Sequence, residues 1–176
     1  MGSAQAHLLT SHIPVVGSGF CLLLFVLGMI MHSTRVQRIG LFFIFLTALF
    51  ALWAYLTGPA AAAVVSASDP AAADLIATHR EAAVTSFVLM VATGVVSFLG
   101  LLHRRHDRRL PNWYNLVVTL LLIICFTLMV GTAGMGVRIS HRWLYPAENP
   151  TQEITPSPAS IDSVGAPSVD ADSAAR

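Results

Sequence analysis

The sequence predicts an all-α membrane protein: an antiparallel up-down bundle of four transmembrane helices followed by a disordered tail. Three observations carry this. Four uncharged apolar runs, about residues 13–31, 39–58, 82–102 and 113–137, each approach the roughly 20 residues that a helix needs to cross hydrocarbon. Of the 176 residues, 55% are hydrophobic and 11% charged, a composition unsuited to a water-soluble domain. The first and last pairs of runs are joined by short connections, which make consecutive helices antiparallel neighbours.

The first run lies close to the N-terminus, where a signal peptide must be considered. Residues 1–12 carry no Lys or Arg, and the run exceeds the roughly 7–15 apolar residues of a signal peptide, so a retained helix is expected. Met1-Gly2 resembles the start of a myristoylation signal, but Ala6 stands where that signal requires Ser or Thr. The second run carries Trp53 and Tyr55 near its end, and Gly58-Pro59 is expected to stop it, because proline lacks the backbone donor. The following "AAAAVVSA" reads as a short helix on the membrane surface, broken again at Asp69-Pro70.

On the third run His79, Ala83, Ser86, Met90, Thr93 and Ser97 fall at alternating spacings of four and three, which gathers small and polar groups on one face. On the fourth, Thr127, Gly131, Gly134, Arg138 and His141 follow the same spacing. Small residues let helices approach closely in lipid, so both stripes are expected to face the bundle. Trp113 and Tyr114 open the fourth run as interfacial aromatics. Residues 1–145 are expected to form the transmembrane domain. From 146 to 176 Pro, Ser, Ala and Asp predominate, too poor in large apolar groups to offset the entropy of ordering, and this segment is read as a disordered periplasmic tail.

Arginine sets the orientation. The chain has ten arginines and no lysine. Arg35 and Arg38 lie between the first two runs, and Arg104, Arg105, Arg108 and Arg109 between the last two; near the other helix ends lie only Arg80, Arg138 and Arg142. The positive-inside rule puts both short loops in the cytoplasm of a bacterial inner membrane and both termini in the periplasm. The formal net charge of +1, with scattered basic residues, gives no reason to expect a nucleic-acid partner. The lipid bilayer is the expected surrounding partner.

With this topology His7, His12, His79 and His141 gather at the outer end, delivered by three separate segments. Imidazole is the commonest protein metal ligand, and bundle cores are usual cofactor sites. Arg138, one turn from His141, suits a propionate or another carboxylate. The candidate cofactor residues are therefore His12, His79, His141, His7 and Arg138, with His12, His79 and His141 as candidate metal ligands. Among them His12 and His79 lead, being on fixed helix starts; His141 follows a glycine-rich stretch, and His7 lies on an expected mobile terminus. The competing reading is interfacial histidines that bind nothing. His32, His103 and His106 lie among arginines at the inner ends and read as solvated loop residues. The outer location disfavours a ladder of two haems crossing the bilayer.

The pattern His7-x4-His12-x-Pro14, Leu56-Thr57-Gly58, His79-Arg80-Glu81-Ala82-Ala83 and a glycine-rich end of helix four followed by Arg and His resembles a family of bacterial four-helix integral membrane proteins of unknown function. The resemblance covers about residues 7–142. It implies the same four-helix fold and a suspected haem or metal role for the histidines. Where the family pattern ends helix four with Gly-Gly-x-Ile-Arg-His, this chain reads "GMGVRISH", with two residues between Arg138 and His141.

Two function classes follow. One is a redox membrane protein whose outer histidines bind haem b, or otherwise copper or zinc, and pass electrons between the quinone pool and a periplasmic redox partner. The other is a non-catalytic subunit or assembly scaffold of a larger membrane complex, with no cofactor. Cys21 and Cys125 fall inside apolar runs and read as small buried hydrophobes. The sequence contains no CxxC or CxxCH, no phosphate loop, no intramembrane Asp/Glu relay and no apparent Ser-His-Asp set, and no enzymatic role of its own is expected.

Overall fold

A computed structural model describes residues 3–103 and 110–141, all within one compact unit, Met1–Leu144. Among the described residues it is helical: α1 (Ser3–Ile30), α2 (Thr34–Ser68), a single 3-10 turn (Pro70–Ala72), α3 (Ala73–His103) and α4 (Asn112–Ser140). The helices pack in a ring, α1 on α2, α2 on α3, α3 on α4 and α4 back on α1, so that α1 and α3 face each other diagonally. Arg35 and Arg38 mark one end of this bundle; His7 and His79 mark the other, called below the histidine end. The expected tail, Arg104, Arg105, Arg108, Arg109 and His106 lie outside the described residues.

All four helices are long and apolar enough to cross a membrane. Their surface decides that this is their setting, since large apolar side chains point outward along the whole length, Val16 at 71% and Ile30 at 69% exposure among them. A continuous surface of this kind would drive association in water and is what lipid requires.

Each expected run lies within its helix, apart from residue 31, and the helices extend beyond the runs at the histidine end. The expected stop at Gly58-Pro59 does not occur. Pro59 sits inside α2, and the "AAAAVVSA" segment forms the last turns of that helix. Proline cannot donate to the Tyr55 carbonyl, a local loss that transmembrane helices tolerate. Beside it, the Thr57 hydroxyl donates back to the carbonyls of Trp53 (3.1 Å) and Ala54 (3.0 Å). The stop comes at Asp69, which leaves helical geometry (φ −140°, ψ 87°) as residues before proline tend to do, and whose carboxylate accepts from the Ala71 amide at 3.1 Å.

The α1–α2 connection is closed by a Schellman arrangement. The Ser33 amide donates to the Gly28 carbonyl and the His32 amide to that of Met29, both at 3.0 Å, with His32 in the left-handed region at φ 49°. Ser33 then caps α2 by accepting from the Val36 amide at 3.4 Å.

The core joins Phe25, Leu41, Ile44, Met90, Leu122 and their neighbours. The α3 stripe read from the sequence faces inward: Ser86, Met90, Thr93 and Ser97 are buried and His79 and Ala83 half-buried. The α4 stripe is corrected. Thr127, Gly131, Gly134, Arg138 and His141 are all exposed, and the buried face is Val118, Leu122, Cys125 and Met129, continued by half-buried Thr132 and Gly136. Both α4 stripes have helical spacing and lie about 200° apart, so periodicity could not choose between them. Packing does: the small face of α3 receives the larger side chains of α4. A Cβ at Gly131 or Gly134 would meet nothing, whereas one at Gly94 would collide with the Ala48 Cβ on α2.

Gly94→Leu should therefore lower the melting temperature in detergent, by the loss of about 1–3 kcal/mol or more that overpacking brings. Gly131→Leu should stay within about 0.5 kcal/mol of wild type, as lipid-facing substitutions do. A Gly131→Leu loss as large as that of Gly94→Leu would return the inner face of α4 to its glycines.

Candidate cofactor site

The histidine end holds all four candidate imidazoles, but only two are drawn into the bundle. His7, on α1, and His79, on α3, are half-buried; His12 is exposed on α1, and Arg138 and His141 are exposed at the end of α4. His7 and His79 come from the diagonally placed helices α1 and α3 and stand at the same end of the bundle. Among the described residues no group of three or more His, Cys, Asp or Glu side chains is arranged to hold a metal ion.

Each ring is fixed by the helix that follows its own. His7 Nδ1 lies 3.0 Å from the Ala54 carbonyl of α2 and 3.2 Å from the Thr57 hydroxyl oxygen. His79 Nδ1 lies 3.1 Å from the Thr132 carbonyl of α4. A carbonyl can only accept, so in both rings Nδ1 carries the proton and donates it. The neutral ring then keeps its lone pair on Nε2, on the side turned away from the carbonyl. This is the form in which histidine ligates a metal while its other nitrogen is held by an outer hydrogen bond.

The seats of the two rings repeat one another. A Cβ at Gly58 would lie 3.5 Å from Cε1 and 3.9 Å from Nδ1 of His7; a Cβ at Gly136 would lie at the same 3.5 and 3.9 Å from His79. The accepting carbonyls, Ala54 and Thr132, each stand four positions before that glycine. Below His79 the wall is tied together by the Ser86 and Thr132 hydroxyls, 2.8 Å apart, which also return to the carbonyls of Ala82 and Leu128, both at 2.9 Å. A larger side chain at either glycine would press on the ring it supports.

On the sequence His7 ranks last, as a residue of an expected mobile terminus. Helix α1 begins at Ser3, and His7 continues the buried stripe of Pro14, Ser18, Cys21 and Phe25 backwards by one more repeat. That stripe was the available signal. Gly58 and Gly136 were visible as helix-end glycines but not as ring seats, since only the packed helices reveal which ring each one meets.

No protein-family model, curated protein or solved structure matches the chain. The site therefore rests on its own geometry.

At alkaline pH, with both imidazoles neutral, nitrogen-15 spectra of labelled protein should show His7 and His79 protonated at Nδ1 and unprotonated at Nε2. A proton on Nε2 of either ring would remove that nitrogen as a donor to metal and overturn the assignment.

Proposed function

We propose that this chain is a multi-pass protein of the bacterial inner membrane, with both termini periplasmic, that holds a b-type haem between His7 and His79. It would pass single electrons from quinol in the membrane to an oxidised periplasmic carrier. The observation that carries this reading is the pair of half-buried imidazoles, each with Nδ1 tied to a backbone carbonyl and Nε2 left as the donor nitrogen. Two such donors match the bis-histidine ligation of haem. Zinc in a structural site takes four ligands, and a copper or zinc site built from imidazoles alone would need His12 or His141 as well; both are exposed. Arg138, two positions beyond Gly136 on α4, supplies at this end of the bundle a guanidinium of the kind that pairs with a propionate. The resemblance to bacterial four-helix membrane proteins with suspected haem or metal histidines supports the same reading. The arginines of the opposite end support the orientation.

The second reading is a scaffold subunit of a membrane complex, and one observation favours it. The two imidazole–carbonyl bonds pin α1 to α2 and α3 to α4, a structural use that needs no cofactor.

An absorption spectrum and metal analysis of purified protein separate the two. The haem reading expects a Soret band in wild type, retained in His103→Ala and reduced several-fold in His79→Ala with membrane insertion intact. Wild-type protein that is colourless and metal-free, from cells supplied with haem, would leave the scaffold reading. Reporter fusions after Arg105 and at Arg176 should report opposite compartments; a cytoplasmic C-terminus would overturn the orientation.

A further inference from the structure

The two hairpins α1–α2 and α3–α4 share one register. Counting from His7, buried residues stand 7, 11, 14, 18 and 21 positions on, at Pro14, Ser18, Cys21, Phe25 and Gly28; the same counts from His79 give Ser86, Met90, Thr93, Ser97 and Gly100, all buried. Counting back from Gly58, inward positions stand 4, 7, 11 and 14 before it, at Ala54, Ala51, Thr47 and Ile44; from Gly136 the same counts give Thr132, Met129, Cys125 and Leu122. Helical periodicity alone favours such counts along one helix. It does not require that each histidine find, on the next helix, a glycine under its ring and a carbonyl four residues earlier for its Nδ1. Both hairpins meet that condition, with the same pair of ring-to-glycine distances.

Two copies of one hairpin, packed antiparallel in a ring so that their first helices are diagonal, are related by an approximate twofold axis along the bundle. Residues at equivalent positions then lie on opposite sides of that axis. We propose that His7 and His79 are equivalent ligands which bind one planar metal cofactor from its two faces, on the pseudo-twofold axis between the hairpins, and leave its metal no position for an outside ligand. The proposal rests on the haem reading above and adds its coordination. A closed six-coordinate centre suits electron exchange through the cofactor edge and excludes binding of a small molecule such as dioxygen at the metal.

Equivalence makes the effects of the two histidines the same. Wild-type protein loaded with haem should be low-spin and six-coordinate in both oxidation states, and the reduced form should show no spectral change under carbon monoxide. His7→Gly and His79→Gly should each give a five-coordinate, carbon monoxide-binding centre, and free imidazole should return both to the low-spin spectrum. Imidazole rescue also shows that the variants are folded. His12→Ala and His141→Ala should keep the wild-type spectrum. Loaded wild type that binds carbon monoxide stoichiometrically would overturn the closed coordination and leave haem binding standing. A low-spin centre lost in only one of the two glycine variants, or lost in His12→Ala or His141→Ala, would overturn the equivalent pair. Wild type that takes up no haem would remove the haem reading itself and this inference with it.

Discussion

In hydrocarbon no water is available for an unpaired backbone group, so each polar atom of the chain must find its partner within the protein. The rest of the structure follows from that requirement. It makes the four apolar segments helical and sends several buried hydroxyls back to their own helices, Ser18 to the Val15 carbonyl, Thr47 to that of Phe43 and Thr93 to that of Leu89, while the buried Ser97 hydroxyl is left without a partner. The same requirement disposes of the histidines. An imidazole drawn between helices must place its N–H, and both rings place it on a carbonyl of the next helix.

Close approach of the helices comes from an uneven division of side-chain size. Helix α3 presents Ser86, Thr93, Gly94 and Ser97 to the interior, while α4 presents Val118, Leu122, Cys125 and Met129. Sulfur fills the middle of that interface, with the Cys125 thiol 3.3 Å from the Met90 thioether. Near the other end of the α3–α4 pair, the Tyr114 hydroxyl donates to the Val96 carbonyl at 2.6 Å, and a Cβ at Gly100 would collide with it. The interface is thus held by a bond and a glycine at each end, Tyr114 with Gly100 at one and His79 with Gly136 at the other.

Bonding Nδ1 to a carbonyl has a chemical consequence. It fixes ring orientation, selects one tautomer and leaves a single directed lone pair, which together make a rigid donor out of a flexible side chain. Glycine beneath each ring allows the imidazole to lie against backbone.

The sequence by itself determined the class of fold, the four spans and the inner face of α3. Hydrophobic length and the clustering of Ser, Thr and His on one stripe are local properties of a helix in lipid. Where α2 ends was local too, but proline chemistry pointed to Pro59 and the chain stopped at Asp69, because a helix in lipid tolerates the loss of one amide. The sequence also named every candidate histidine. Only tertiary structure decided which of them meet. His12 and His7 are five residues apart on one helix, about 140° around it, and their local sequences say nothing of which faces α2. On α4 two stripes of equal periodicity competed, and the choice fell to the one whose bulk matched the small face of α3. The pairing of His7 with Gly58 and Ala54, and of His79 with Gly136 and Thr132, joins residues about fifty positions apart. Such pairing depends on helix register across an interface, a quantity that no single helix encodes.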